Sequence, residues 1–360
     1  MLDTTSQFRR PAPAASAKVA EPGIEIRGLS KIFGKNPEKI VPLLKGGVSK
    51  KEIMDVHRHV LGLNDINMSM PAGGIQVIMG LSGSGKSTLI RHINRLIDPS
   101  IGEVLVGGVD VCKMSPKELR EFRRHQTAMV FQQFGLLPHR TVLDNAVYGL
   151  ELQGVPRAKQ VEAAMHWLAR VGLSGFEQHY PHQLSGGMQQ RVGLARALVN
   201  DAPILLMDEA FSALDPLIRV DMQSILLDLQ KEIKKTIVFI THDLDEALRL
   251  GDRIAILRDG EIVQQGTGQE IVLSPADDYI VEFVRHVNRG KVLQLSSVMW
   301  PSSVVPSDAD GIELPANTLL ETAVSTLLES GKNLIVVTDD RGARLGTLTL
   351  AEAVAAMVSP

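Results

Sequence analysis

Apolar residues in this chain fall into short unbroken runs separated by stretches of helical spacing. Ile204–Met207 is a four-residue apolar run, and a run of that length predicts a strand covered on both faces. Ile75–Met79 and Lys235–Ile240 predict further buried strands, while Ile24–Arg27 alternates and predicts an edge strand. Ser49-Lys-Lys-Glu52 has capping-box spacing, with Ile53, Val56 and Val60 following at helical intervals. Residues 34–62 therefore read as an insertion carrying a short helix with a basic face. A helix is expected from Lys86, and Thr141-Val-Leu-Asp144 opens another by capping logic, with 141–200 predominantly helical. Asp215-Pro216 reads as an N-cap followed by proline at the first helical position. Asp259-Gly260 between Arg253–Arg258 and Glu261–Gln265 is a hairpin signal. Strands alternating with helices predict an α/β domain with a mainly parallel sheet.

The two ends differ in character. Residues 1–22 are rich in Ala, Pro, Ser and Thr and predict a disordered tail. Val305–Pro315 reads as a loop. Thr318-Leu-Leu-Glu321 has the capping box of a helix ending at Ser330, with Gly331 as the stop. Asn333–Thr338 and Arg344–Thr349 read as strands, and Thr349-Leu-Ala-Glu352 caps a last helix. The result is a small α-β-β-α unit.

Composition narrows the classes. The chain is 44% hydrophobic and 22% charged with a net charge of −3, which fits a globular core and disfavours a dedicated nucleic-acid binder. A single cysteine, Cys112, rules out a disulfide framework within the chain and fits a reducing compartment. No apolar run approaches the ~18 residues of a membrane span, and Arg9-Arg10 are followed by Pro11-Ala-Pro rather than an apolar signal core. Any service to a membrane is expected from its cytoplasmic side and through a partner.

Gly80-Leu-Ser-Gly-Ser-Gly-Lys-Ser-Thr88 follows an apolar strand and opens a helix, the arrangement of a phosphate cradle. Glycines let successive N–H groups turn inward, and the helix start presents its positive end to phosphate. Lys86 is expected to reach the β- and γ-phosphates, and Ser87 to offer its hydroxyl to Mg²⁺. Asp208 and Glu209 close an apolar strand. Asp208 suits the water shell of the metal, and Glu209 suits a base that polarises the attacking water. His242 ends another apolar strand.

Leu184-Ser-Gly-Gly-Met188, read with the glycine loop and Asp208-Glu209, resembles the signature of the ATP-binding cassette (ABC) ATPases. That resemblance implies an α/β, ABC-type P-loop NTPase: a RecA-like core, an antiparallel β subdomain and a helical subdomain at about 133–200, over 23–290. It implies that ATP contacts Gly80, Ser82, Gly83, Ser84, Gly85, Lys86, Ser87 and Thr88, and that Ser185, Gly186 and Gly187 bind the γ-phosphate held by an opposite copy. Gln132 resembles a Mg²⁺ ligand that also couples to the membrane partner, alongside Ser87 and Asp208. Asp215, in Ser212-Ala-Leu-Asp215, resembles the loop that crosses the dimer, and His242 the switch histidine on the γ-phosphate. Phe33 sits where an aromatic residue stacks on adenine; a buried or interface phenylalanine is the other reading.

A finer resemblance, in Asn94-Arg-Leu-Ile97, Asp208–Arg219 and Asp243-Leu-Asp-Glu-Ala247, is to the quaternary-amine uptake branch. It implies an ATPase serving import of glycine betaine, proline betaine or choline through an integral membrane permease supplied by an extracytoplasmic binding protein. Histidine or proline is the alternative cargo. Residues 291–360 resemble a CBS-like C-terminal region with one motif at about 316–358, and a packing or dimerisation tail is the other reading. A soluble ABC ATPase acting on DNA or ribosomes would show a long coiled-coil insertion or two cassettes, and this chain shows one cassette and no sustained heptads.

Overall fold

The computed structural model describes residues 22–301 and 310–358. The tail expected over 1–22 lies outside them except for Pro22, which opens a strand. The described residues fall into two compact units, one ending at Ile271 and one beginning at Val272. The junction expected at 290 falls inside the second unit.

The first unit is organised by a six-stranded sheet in the order Glu261–Gly266, Arg253–Arg258, Ile75–Met79, Thr236–Thr241, Ile204–Asp208, Thr127–Val130. Every neighbouring pair is parallel except the first, which is the hairpin turning at Asp259-Gly260. Ile75–Met79, Ile204–Asp208 and Thr236–Thr241 are buried at every position, as inner strands covered on both faces must be. Because the strands are parallel, Met79, Val130, Asp208 and Thr241 all end on one edge of the sheet. The loops that follow them are brought side by side there.

A second, antiparallel sheet runs in the order Val60–Pro71, Pro22–Phe33, Ile101–Val106, Val109–Asp110. The alternation at Ile24–Arg27 thus belongs to a 12-residue strand paired on both sides, and the expected edge strand is an interior one. Helix Lys86–Ile93 lies between the two sheets. Its Leu89, Ile90 and Ile93 pack with Ile24, Ile26 and Leu29 of one sheet and Leu206, Val238 and Ile240 of the other. Burial of such side chains contributes roughly 1.5–3 kcal/mol each, so the loop preceding this helix is anchored by the main core.

The insertion has its own small core of Ile32, Ile40, Ile53 and Leu61. Ser49 caps the helix Lys50–Asp55 by accepting from the Glu52 amide, as expected. The expected continuation through Val56 and Val60 fails: Val56 is exposed and Val60 opens a strand. Leu61, Leu63, Met68 and Met70 alternate inward along that strand, and period-two burial wins over the longer helical spacing. Between Thr127–Val130 and Ile204–Asp208 the chain forms helices Val142–Ala146, Tyr148–Leu152, Arg157–Arg170 and Gly186–Val199. Thr141 caps the first of these by accepting from the Asp144 amide.

The second unit holds a four-stranded sheet, in the order Trp300–Pro301, Arg344–Thr349, Leu334–Thr338, Ile312–Pro315. Part of the loop expected over Val305–Pro315 is therefore a strand, parallel to Leu334–Thr338, and residues 302–309 lie outside the described residues. The predicted cap at Thr318 does not form. The Thr318 carbonyl accepts from the Leu295 amide in an extended bridge, so helix Leu320–Ser330 begins after Leu319 with no side-chain cap. Gly331 stops that helix at φ 68°, a conformation glycine adopts without steric cost. The Thr349–Glu352 box forms in both directions at the last helix, Leu350–Val358.

Candidate active site

Four loops leave the same edge of the parallel sheet, and Glu209 is where they meet. The Lys86 ammonium lies 3.6 Å from one Glu209 carboxylate oxygen. The Gln132 amide donates to the other oxygen at 3.2 Å, and His242 Nδ1 is 3.7 Å from that same oxygen. Glu209 adopts φ 47°, a left-handed conformation that costs a non-glycine residue energy. The Ser212 hydroxyl and amide both donate to its carbonyl and hold it there. One residue earlier, the buried Asp208 carboxylate accepts from the Ser87 hydroxyl at 2.7 Å and from Arg91 at 3.1 Å.

The glycine loop is built by close approach. A Cβ on Gly80 would sit 2.2 Å from the Leu257 carbonyl oxygen, and Gly85 takes φ 103°, so neither position accepts a larger residue without movement. Lys86 follows, buried, and its ammonium spans the loop to the Gly80 and Leu81 carbonyls at 2.8 and 3.0 Å. Burial pushes its pKa down, while the neighbouring Glu209 and Asp208 charges pull it back up. The Ser84 hydroxyl is buried with no hydrogen-bond partner among the described residues. A buried orphan hydroxyl costs free energy unless something arrives to pair with it.

The remaining expected residues lie outside that cluster. Ser185 caps helix Gly186–Val199, accepting from the Met188 amide at 3.3 Å, and leaves itself and Gly186 exposed. A Cβ on Gly187 would meet Ile218 at 2.8 Å, so this helix start packs against the start of helix Pro216–Ile233. Asp215 caps the latter, accepting from the Ile218 amide at 3.1 Å. None of Ser185, Gly186, Gly187 or Asp215 hydrogen-bonds to the Glu209 cluster. Phe33 is 38% exposed, with the Lys31 ammonium 5.2 Å from its ring centroid.

Residues 63–212 match the ABC transporter family. The glycine betaine transport ATP-binding protein OpuAA of Bacillus subtilis is 55% identical over 285 residues, 79% of this chain and 68% of that protein. The chain belongs to the ABC transporter ATP-binding proteins. It is an ATPase coupled to transport, in the branch that includes the glycine betaine proteins. The trimethylamine N-oxide transport ATP-binding protein TmoW of Pelagibacter ubique is 43% identical over 92% of this chain and 96% of its own length. A solved dimer of a bacterial ABC transporter cassette superposes with a TM-score of 0.58 at 32% identity, over 68% of this chain and 98% of that one.

Two residues of this ABC ATPase lie beside the cluster without having been singled out by sequence reasoning. Arg91 stands four positions after Ser87 on one helix, so both side chains reach Asp208 from the same face. That spacing was readable. Arg196 donates to the carbonyls of Phe134 and Gly135 just beyond Gln132, from 62 and 61 residues later in the chain, and no local pattern announces it.

Proposed function

We propose that this chain hydrolyses ATP to power import of a quaternary amine (glycine betaine, proline betaine or choline) through a separate membrane permease. The observation that carries the ATPase half is the convergence of Lys86, Gln132 and His242 on Glu209, beside an Asp208 already engaged by Ser87. The residues fit a nucleoside triphosphate. The orphan Ser84 hydroxyl and the Lys86 ammonium, held only by two carbonyls and a carboxylate, are donors suited to phosphate oxygens. The amides of Gly83 to Thr88 complete the cradle, with Gly80 and Ser82 at its entrance.

Ser87, Asp208 and Gln132 offer hard oxygen atoms suited to Mg²⁺. Bound there, the metal would neutralise charge on the phosphates. Phosphate oxygens compete for Lys86 and free Glu209 from its ion pair. Glu209 then takes a proton from the attacking water, while His242 contacts the γ-phosphate and Gln132 reports occupancy to the permease. Phe33 stacks on adenine.

The exposed Ser185 and Gly186, with the half-buried Gly187, cap the nucleotide of a second copy, with Asp215 at the seam, so the active form is a homodimer. The dimeric state of the superposed cassette supports this reading. The dimer sits on the cytoplasmic face of the membrane, against a permease supplied by an extracytoplasmic binding protein.

The cargo rests on likeness to the glycine betaine protein; the near full-length likeness to the trimethylamine N-oxide protein favours that methylated amine as a second cargo. For the second unit we propose a single CBS-type motif, supported by the strand–helix–strand–strand–helix order from Ile312 to Val358. A test of the whole reading is uptake of labelled betaine, choline, trimethylamine N-oxide and histidine by cells carrying the wild-type chain or its Glu209→Gln variant. Histidine uptake alone responding to the variant would overturn the cargo.

A further inference from the structure

We infer that Gly62 is a positioning residue for the nucleotide: it seats the Phe33 ring and fixes that ring to the glycine loop. The inference rests on the proposed stacking of Phe33 on adenine.

Strand Val60–Pro71 pairs Leu61 with Ile32 and Leu63 with Lys31, and the register shifts between the two pairs. Gly62 is the extra residue of that bulge. Bulges near sites re-aim a neighbouring side chain, and here the neighbour is Phe33. A Cβ on Gly62 would stand 2.6 Å from Phe33 Cε2 and 3.1 Å from Cδ2. The ring therefore lies directly on the bare Cα of Gly62. The φ of Gly62 is not in the left-handed region, so the absent side chain, not backbone freedom, is what the position requires.

The other side of Gly62 faces the phosphate end. Its carbonyl oxygen would stand 2.8 Å from a Cβ on Gly85, the residue before Lys86, and 2.7 Å from a Cβ on Gly260. Gly260 in turn donates its amide to the Ser84 carbonyl at 3.0 Å and accepts from the Asn64 amide at 2.8 Å. The contact chain thus runs from the Phe33 ring through Gly62 to Gly85 and Ser84. Three glycines from three distant segments meet with backbone on backbone, a geometry with little room to shift. This junction sets the spacing between the base-stacking ring and the phosphate loop, which a nucleotide must span with both ends engaged. None of the glycine-loop or signature motifs includes Gly62.

The test compares Gly62→Ala, Phe33→Ala and the double variant in the full-length chain. Steady-state ATP hydrolysis is measured alongside competition by inorganic tripolyphosphate, a probe with no base. In Gly62→Ala the methyl pushes the ring aside, and KM for ATP rises about fivefold to tenfold, within the range of lost base stacking, with kcat within twofold. Tripolyphosphate competes as it does in wild type. In the Phe33→Ala background the Gly62 change adds nothing further.

An unchanged KM in Gly62→Ala beside a raised KM in Phe33→Ala overturns the role of Gly62. An unchanged KM in Phe33→Ala overturns the adenine reading itself. If Gly62→Ala does not fold, the double variant decides. Recovery of the fold with the KM of Phe33→Ala supports the ring contact, and failure to recover it overturns the contact by pointing to a backbone clash.

Discussion

Lys86 and Glu209 form a partly buried ion pair, 3.6 Å apart, at the edge where the glycine loop meets the strand carrying Asp208. The lysine is buried, and the Glu209 carboxylate adds a negative charge to the Gly80 and Leu81 carbonyls that accept from its ammonium. Under the proposed function the two groups have separate tasks, Lys86 on phosphate and Glu209 on the attacking water.

This pairing makes Glu209→Gln informative. The glutamine keeps the shape and can still accept from Gln132, but it cannot take a proton. Turnover is expected to fall by about 10²–10⁴-fold, the range of general base contributions. ATP binding is retained and dimers persist. Steady-state hydrolysis together with sedimentation in ATP checks both halves. Ordinary turnover would remove Glu209 as the base.

Asp208 stands differently, because Ser87 and Arg91 already occupy its two oxygens. In Asp208→Asn the fold is kept, since Arg91 is 45% exposed and can turn to solvent. The Mg²⁺ concentration for half-maximal hydrolysis is expected to rise about 10- to 100-fold, the usual loss on disturbing a group that orients metal ligands. A Mg²⁺ titration reads this directly, and an unmoved midpoint would detach Asp208 from the metal.

The exposed helix start at Ser185 leads to a test by mixing. Lys86→Ala and Ser185→Glu homodimers are each expected to be nearly inactive. In a two-fold dimer, half of a random mixture pairs one variant with the other, and each such pair keeps one complete site of two. Activity of about a quarter of wild type is therefore expected on mixing. A mixture no more active than its components would place Ser185 outside the composite site.

What could be read from sequence and what could not divide along a physical line. The glycine loop, the Asp208-Glu209 strand end and the Asp259-Gly260 hairpin are contiguous segments whose chemistry and conformation are local, and each appears in the structure where expected. The strand Val60–Pro71 was missed because the spacing of Ile53, Val56 and Val60 mimics a helix over a span too short to average out. Its inward alternation only matters once Pro22–Phe33 lies beside it. The Thr318 cap failed for a related reason: a bridge from Leu295, two dozen residues earlier, claims the backbone that the cap needs. Arg196 on the loop after Gln132 and the Gly62 junction are likewise products of tertiary contact.

His92 is fully buried on the helix that follows the glycine loop, with Nδ1 2.7 Å from the Thr88 carbonyl. Burial is the main cause that lowers its pKa to about 4, against about 6.5 in an unfolded chain. The folded protein therefore resists a proton that the unfolded chain accepts. As pH falls below about 6.5 the unfolded state takes up more protons, and stability is lost until the folded imidazole itself titrates near pH 4. The full difference is about 3 kcal/mol, of which about 2 kcal/mol is expected between pH 7 and pH 5. Replacing His92 with leucine keeps the volume buried and removes the titration. Urea denaturation at pH 7 and pH 5 should show that loss in the wild type and a markedly smaller one in His92→Leu. Equal losses in both would mean that this imidazole is not what acid attacks first.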